Sequence, residues 1–326
     1  MSTLSAPAAP GAAAGSRLVL GCMGLGGDWA PTPYGSADVD EAAAAVDAAL
    51  EIGITLFDHA DIYRVGKSEA VFGEVLVRTP GLRDRIKIQT KCGIRLGDGG
   101  LDSYYDLSRA AILERVQESL KRLKTDYVDT LILHRPDPLM DPAEVAGALR
   151  ELHEAGMVRE VGVSNMSGAQ MALLAEQLEL PIVANQLELS LHKHDWLDST
   201  ITVNHPDAAG NTFPHGTIEY CRSNGVRLQA WGPLAQGIYS GPGEGRTAAE
   251  AATADLVASL AAARDTTPEA IVLGWLLKHP AGIDAVIGTK NPERIRACRD
   301  AEAQSRLMTR TEWYSLYIAA RGAGVP

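Results

Sequence analysis

Residues 55–63 read Thr-Leu-Phe-Asp-His-Ala-Asp-Ile-Tyr, and the interpretation of the whole chain starts from this segment. An apolar run of strand length ends in the carboxylate of Asp58, and Tyr63 follows five residues later. This spacing puts an acid and a phenol at the mouth of one strand-to-helix loop, where they suit proton transfer. The structural alternative is that Asp58 caps a helix and Tyr63 packs beneath it.

A strand followed by a loop and a helix is predicted repeatedly along the chain, because short apolar runs alternate with helix-length amphipathic segments. Helices are predicted over 38–52 and 108–124, and three more begin at a capping residue followed by proline. Those three starts are Asp141-Pro142, Thr267-Pro268 and Asn291-Pro292. Eight strands are predicted, at 17–20, 54–57, 86–90, 130–133, 159–163, 182–185, 226–230 and 285–287.

Eight repeated strand–helix units in one chain predict an α/β fold, a closed (β/α)8 TIM barrel, with an open doubly wound sheet as the alternative. We expect a single catalytic domain over 17–326 behind a disordered, Ala/Pro/Gly-rich tail at 1–16. The glycine-rich loop 21–27 superficially matches a dinucleotide-binding fingerprint. Trp29 stands where the third glycine is needed and no helix opens there, so that interpretation is rejected.

Composition limits the possible partners. A net charge of -11 and a pI near 5.2 argue against a broad nucleic-acid or anionic-membrane surface, so any anion site must be local. Four widely spaced cysteines and the lack of a leader or a membrane-length apolar run predict a cytoplasmic protein with reduced thiols. We expect a small-molecule substrate and a monomer or weak homo-oligomer.

Polar or reactive side chains follow the predicted strands at their carboxyl ends, the rim where barrel enzymes build active sites. Neighbouring strands lie about 4.8 Å apart, so Asp58, Lys91 and His134 are expected within roughly 10 Å of one another. Each has a structural alternative, Lys91 as a surface lysine and His134 as a core histidine. The rim residues are Asp58, Lys91, His134, Ser164, Asn165, Gln186, Trp231, Thr289 and Lys290.

These groups suit the donation of a proton to a carbonyl oxygen as a hydride reaches the carbon. The phenol of Tyr63 is a poor acid, and a neighbouring Lys91 ammonium is expected to lower its pKa. Asp58 would hold Lys91 charged and in place. His134 would donate a hydrogen bond that orients the substrate oxygen.

The sequence resembles the aldo-keto reductase superfamily. The segments 57–63, 89–91 and 133–137 match its catalytic motifs, and 161–165, 185–186 and 231–234 match its cofactor motifs. The resemblance extends over about 17–320. It implies a catalytic tetrad of Asp58, Tyr63, Lys91 and His134, and a nicotinamide cofactor held without a dinucleotide-binding fold.

The resemblance also implies which residues hold the cofactor. Ser164, Asn165 and Gln186 would bind the carboxamide, and Trp231 would stack on the nicotinamide ring. The remaining expected contacts are Gly21, Cys22, Met23, Gly232, Pro233, Leu234, Gly288, Thr289, Lys290 and Arg294.

A strand end, a lysine, a capped helix start and an arginine in segment 287–294 predict a local anion site. This site favours NADPH/NADP over NADH, since only the former carries a 2′-phosphate. A solvated Lys290–Arg294 face is the alternative. Cys298 stands where the family often has an asparagine, so the resemblance does not imply that this position contacts the adenine.

The segment 192–214 is longer than expected from the family and is predicted to be a long rim loop. With neighbouring loops it would shape a substrate pocket lined by Met23, Trp29, Tyr34 and Trp196. Four histidines lie in or beside this segment at 192, 194, 205 and 215, but their irregular spacing gives no metal-ligand pattern, so no metal is expected.

Three functions are compared. The leading one is NADPH-dependent, reversible reduction of an aldehyde or ketone to an alcohol, with Tyr63 as general acid. The others are a Schiff-base lyase that uses Lys91 as a nucleophile and a cofactor-binding regulatory subunit with little turnover. Within the opening segment, His59 and Asp61 receive no role in the chemistry, and Asp61 is expected to be structural.

Overall fold

A computed structural model describes residues 15–97 and 102–326, and its central element is a closed barrel of eight parallel strands. Residues 1–14 of the predicted tail lie outside the described residues. The described strands are β1 (Leu18–Gly21), β2 (Leu56–Asp58), β3 (Lys87–Cys92), β4 (Ile94–Arg95), β5 (Tyr104–Tyr105), β6 (Val128–Leu133), β7 (Val158–Ser164), β8 (Ile182–Glu188), β9 (Arg227–Trp231) and β10 (Asp284–Ile287). The barrel order is β1-β10-β9-β8-β7-β6-β3-β2, which confirms the predicted (β/α)8 fold and its eight strands.

Helices cover the outside of the barrel, and β4 and β5 form a separate antiparallel hairpin beyond the carboxyl end of β3. The helices of the described residues are α1 (Ser36–Glu51), α2 (Lys67–Arg78), α3 (Leu82–Arg85), α4 (Arg109–Leu123), α5 (Pro142–Glu154), α6 (Gly168–Ala175), α7 (Asp195–Ile201), α8 (Thr217–Ser223), α9 (Ala248–Ala263), α10 (Pro268–Leu277), α11 (Pro292–Arg296), α12 (Ala301–Leu307) and α13 (Arg310–Arg321).

The capping residues act largely as predicted. The side chains of Asp141, Thr267 and Asn291 each accept hydrogen bonds from the first free N–H groups of the helix that follows, and proline occupies its first turn. The predicted start of α1 is wrong by two residues. Asp38 lies inside the first turn, where its carboxylate accepts a hydrogen bond from the Gly35 N–H at 2.8 Å.

A glycine allows two neighbouring helices of the outer layer to pack closely. A Cβ atom at Gly73 of α2 would lie 2.2 Å from the Arg122 carbonyl oxygen of α4, so no larger residue fits there without moving a helix. This contact packs α2 against α4, and along the chain the two helices precede and follow β3, the strand that carries Lys91.

The segment 192–214, predicted to be a long rim loop, follows the carboxyl end of β8. It contains α7 and a short 3₁₀ helix at Pro206–Gly210. Asp198 of α7 accepts hydrogen bonds from Tyr317 and Arg321 of α13, and Arg321 also pairs with Asp207. The segment is therefore held against the C-terminal helix. No helix among the described residues has both the length and the apolar character needed to cross a membrane.

Candidate active site

The carboxyl ends of β2 and β3 bring three of the predicted residues into direct contact. Lys91 Nζ donates to both carboxylate oxygens of Asp58, each at 2.7 Å, and to the Tyr63 hydroxyl at 3.2 Å. It also donates to the His59 carbonyl oxygen at 2.9 Å. Because the Asp58 and Lys91 side chains are buried, this ion pair is shielded from water, which strengthens the attraction.

Burial and the neighbouring charges set the ionisation of Lys91 and Tyr63. Burial favours a neutral lysine, but Asp58 and Tyr63 together outweigh it, and the pKa of Lys91 lies above its ordinary value. Lys91 lowers the pKa of Tyr63 as predicted, but the net shift is in the opposite direction. Burial raises the pKa of Tyr63, and the Lys91 ammonium offsets only part of that effect.

His134 follows β6 and lies beside Tyr63, with ring centroids 5.9 Å apart in an edge-to-face arrangement. Burial, Lys91 and Arg135 hold the pKa of His134 well below its usual range, so the imidazole is neutral. Its Nδ1 is buried and has no hydrogen-bond partner among the described residues. Nε2 is then the ring nitrogen that is available to a ligand.

Contacts between the loops after β1 and β2 fix the segment that carries Tyr63. Ser68 Oγ donates to the Cys22 carbonyl oxygen at 2.8 Å, and Lys67 Nζ pairs with Asp28 at 3.1 Å. After Tyr63 the backbone takes three successive left-handed residues, Arg64, Val65 and Gly66. A β-branched residue such as Val65 rarely adopts this conformation, so the surrounding contacts must impose it.

The predicted carboxamide-binding residues form a connected group across three strand ends. Ser164 Oγ donates to the Gln186 carbonyl oxygen at 2.8 Å and accepts from Asn165 Nδ2 at 2.7 Å. Trp231 Nε1 donates to Asn165 Oδ1 at 3.3 Å, which fixes the indole at the end of β9. Asn165 adopts a left-handed φ of 57°, so its side chain is held at the rim by the backbone as well.

The predicted phosphate site differs from the expected one. Lys290 Nζ pairs with Glu41 of α1 at 2.7 Å, while Arg294 is exposed and makes no ion pair with a described residue. Helix α11 is only five residues long, and Asn291 already occupies its first N–H groups. Cys298 is buried and its thiol donates to the Arg294 carbonyl oxygen, so it offers no surface to an adenine.

The other predicted cofactor residues lie around the same rim. Gly21 ends β1, where a Cβ atom would lie 3.1 Å from the Ile287 carbonyl oxygen. Gly232 takes a left-handed φ of 63° directly after Trp231. Cys22 and Met23 lie in a 3₁₀ turn after β1, Pro233 and Leu234 follow Gly232, and Gly288 and Thr289 follow β10.

Two of the four predicted pocket residues lie where a ligand can reach them. Met23 and Trp29 are 50% and 43% exposed, and the Arg64 guanidinium lies 5.3 Å from the Trp29 ring centroid. Tyr34 is partly exposed and donates its hydroxyl to Glu74 of α2, so its place in the pocket stays a prediction. The prediction for Trp196 is wrong.

Trp196 is fully buried in the core against Trp275 and His279. Its place was not predicted because the partners that cover it come from α10 and the following turn, some 80 residues later. Within the described residues, no group of three or more His, Cys, Asp or Glu side chains is arranged to hold a metal ion.

Comparison with known proteins identifies the family. The model of the aldo/keto reductase family matches residues 17–310. The chain belongs to the aldo-keto reductase family. It is 36% identical to a 6-dehydroglucose reductase of Agrobacterium fabrum over 95% of this chain and 96% of that protein. It is 35% identical to the oxidoreductase YdhF of Escherichia coli over 95% of each chain.

Solved structures agree on the fold. A glycerol dehydrogenase of Gluconobacter oxydans superposes with a TM-score of 0.78, at 25% identity, over 98% of this chain and 96% of that one. An aldo-keto reductase of Klebsiella pneumoniae, solved with NADPH, gives a TM-score of 0.70 at 23% identity over 95% and 92%. As a member of this family, the protein is an NAD(P)H-dependent oxidoreductase.

Sequence reasoning missed a buried charged cluster beneath the Tyr63 loop of this reductase. Both oxygens of Asp61 are buried without a hydrogen-bond partner among the described residues, and the nearest cation is Arg115 Nε at 3.6 Å. Glu69 is also fully buried, where it pairs with Arg122 and accepts from Thr90. Burial and the Glu69 carboxylate raise the pKa of Asp61 to about 7.

His59 lies fully buried beside this loop and packs against Phe72. Its Nδ1 lies 3.3 Å from Ser68 Oγ, which itself donates to the Cys22 carbonyl oxygen, so Nδ1 carries the proton. Burial and the Lys91 ammonium lower the pKa of His59 to about 3, and the ring is neutral. His59 thus serves the site through its carbonyl oxygen, which accepts from Lys91.

Replacing Asp61 with asparagine is expected to stabilise the protein more at pH 8 than at pH 4. The carboxyl titrates near 3.9 when unfolded and near 7 when folded, so the folded state binds the extra proton between these values. Wild-type stability therefore falls as the pH rises through this window, by up to about 4 kcal/mol from this one group. The amide of the Asp61→Asn variant does not titrate, so its stability lacks this dependence.

Urea unfolding of both proteins between about pH 4 and pH 8 measures the difference. The exposed Asp255→Asn on α9 is the control, because its carboxyl lies in water in both states. A wild-type-minus-variant difference that does not change with pH would contradict the burial argument.

Proposed function

We propose that this aldo-keto reductase reduces an aldehyde or ketone to an alcohol with NADPH, reversibly, and that Tyr63 is the general acid. The observation that carries the proposal is the Lys91 ammonium, which contacts the Asp58 carboxylate at 2.7 Å and the Tyr63 hydroxyl at 3.2 Å. A charged lysine beside a phenol favours the phenolate that proton donation leaves behind. Asp58 compensates the buried positive charge.

The ionisation of each group supports this division of roles. A raised pKa keeps Tyr63 protonated at neutral pH, which is the form that donates. A neutral His134 offers one N–H to the substrate oxygen and holds it near the Tyr63 hydroxyl. When bound, a reduced nicotinamide supplies a hydride to the carbonyl carbon, and Tyr63 supplies the proton that completes the alcohol.

The rim residues fit a nicotinamide cofactor. The linked side chains of Ser164 and Asn165 suit a carboxamide, which both donates and accepts hydrogen bonds. The Trp231 indole, fixed by Asn165, offers a flat surface for a ring. These residues would orient the cofactor without a dinucleotide-binding fold.

The preference for NADPH rests on Arg294 more than on Lys290. Arg294 is exposed and unpaired among the described residues, whereas Lys290 is shared with the Glu41 carboxylate. We expect Arg294→Gln to weaken NADPH binding by about tenfold or more, since a charged hydrogen bond is lost, and to leave NADH binding unchanged.

Glu41→Gln is expected to tighten NADPH binding by about two- to fivefold, because a half-exposed ion pair is worth up to about 1 kcal/mol. Titration of tryptophan fluorescence with each nucleotide measures both effects. Glu51→Gln, which removes the carboxylate paired with Arg296 and Arg299, is the matched control. Equal effects of Glu41→Gln and Glu51→Gln would indicate a general change of surface charge.

The Schiff-base alternative is disfavoured by the state of Lys91. A nucleophilic lysine must lose its proton, but Asp58 raises the pKa of Lys91 and the ammonium has acceptors in three residues. The regulatory-subunit alternative predicts tight NADPH binding without turnover.

The activity is tested by following NADPH absorbance with a panel of aldehydes and ketones. The panel includes 6-dehydroglucose, the substrate for which the relatives from Agrobacterium and Novosphingobium are named. Oxidation of NADPH that depends on the added carbonyl supports the reductase. Tight binding with no turnover on any compound would instead favour the regulatory subunit.

A further inference from the structure

Three glutamines lie inside the barrel, two of them in direct contact with Asp58 and the third in contact with those two. Gln89 of β3, Gln186 of β8 and Gln229 of β9 are each at most 3% exposed. Barrel interiors are usually filled by branched apolar side chains, and a buried amide is costly unless its groups are hydrogen-bonded. Three amides at one level of the interior therefore need a reason.

Their hydrogen bonds close a ring across the barrel. Gln89 Nε2 donates to Gln229 Oε1 at 2.8 Å, and Gln229 Nε2 donates back to Gln89 Oε1 at 3.0 Å. Gln186 Nε2 donates to the same Gln229 oxygen at 3.0 Å. Strands β3 and β9 lie on opposite sides of the barrel, so this amide pair spans its interior.

The ring delivers hydrogen-bond donors to Asp58. Its Oδ1 accepts from Gln89 Nε2 at 2.5 Å and from Gln186 Nε2 at 3.1 Å, besides Lys91. An ionised carboxylate only accepts, so the NH₂ group of each amide must face it. The oxygen of Gln89 then faces Gln229, and the reciprocal bonds of that pair require the same orientation.

We propose that Gln89 and Gln229 are positioning residues for the reduction: they hold the Asp58 carboxylate in place and thereby fix Lys91 against Tyr63. The inference rests on the proposed function, because it assigns these two glutamines a part in the same proton donation. Gln89 acts directly on Asp58. Gln229 acts one step away, by orienting the amides of Gln89 and Gln186.

Gln89→Met keeps the side-chain length and removes the donor. Because a hydrogen bond to a charged group is lost, we expect kcat to fall by about 10- to 100-fold, with KM and NADPH affinity nearly unchanged. Gln229→Met should give a smaller change of the same kind.

Gln304→Met is the matched control, because Gln304 is a buried glutamine of α12 that pairs with Arg264. It should lower stability without lowering kcat. An undiminished kcat in both Gln89→Met and Gln229→Met overturns the proposal, and so does an equal fall of kcat in Gln304→Met.

A readout independent of turnover separates this proposal from the proposed function. In isotope-labelled lysine NMR spectra, the buried ammonium of Lys91 should give a distinct signal that Lys91→Arg removes. Gln89→Met or Gln229→Met should shift or broaden this signal, whereas Gln304→Met should leave it in place. If the wild type reduces no carbonyl, the proposed function fails. An unchanged Lys91 signal in both Gln89→Met and Gln229→Met overturns the positioning role of the two glutamines.

Discussion

Tyr63→Phe is expected to lower kcat for carbonyl reduction by about 10²- to 10⁴-fold, the usual contribution of a positioned general acid. The substitution removes one oxygen atom and leaves the ring to pack beside His134. No other phenol takes part in a hydrogen bond with Lys91 among the described residues. The measurement is steady-state NADPH oxidation, with nucleotide affinity measured by fluorescence.

NADPH affinity should stay close to that of the wild type, because the proposed cofactor contacts lie on other strands. Tyr220→Phe on α8 is the matched control, since it removes a hydroxyl away from the Asp58–Lys91 pair and should leave kcat unchanged. Undiminished turnover by Tyr63→Phe would exclude Tyr63 as the proton donor. A loss of NADPH binding alone would point to a role in holding the cofactor.

The barrel was predictable because its signals are local. Asp141, Thr267 and Asn291 cap the helices that follow them through contacts only two or three residues away. Strands buried on both faces appear as continuous apolar runs, and their carboxyl ends meet on one rim whatever the rest of the packing does. The meeting of Asp58, Lys91 and Tyr63 follows from that topology.

The remaining errors concern contacts between distant parts of the chain. Trp196 is an aromatic residue in a segment without regular periodicity, and only its packing against Trp275 of α10 decides that it faces the core. Lys290 was expected in a local anion site, and its pairing with Glu41, 249 residues earlier in the chain, was not foreseen. The net effect on the Tyr63 pKa depends on burial, which a list of neighbouring charges does not give.

Lys91→Met is expected to reduce both activity and stability. Without the ammonium, Tyr63 loses the charge that favours its phenolate, and kcat should fall at least as far as in Tyr63→Phe. The Asp58 carboxylate would remain buried with only the amides of Gln89 and Gln186 to balance it. Breaking a buried pair in this way typically costs about 3–5 kcal/mol.

The double variant Asp58→Asn/Lys91→Met separates these two effects. It removes both charges, so we expect most of the stability lost in Lys91→Met to return, because burying an ion pair gains little over burying neutral groups of similar size. Activity should not return, since the proton donor still lacks its ammonium neighbour. Urea unfolding and NADPH oxidation measured on the wild type, both single variants and the double variant complete the cycle. Recovery of turnover together with stability would mean that Lys91 supports the fold around Tyr63 and has no electrostatic part in the reaction.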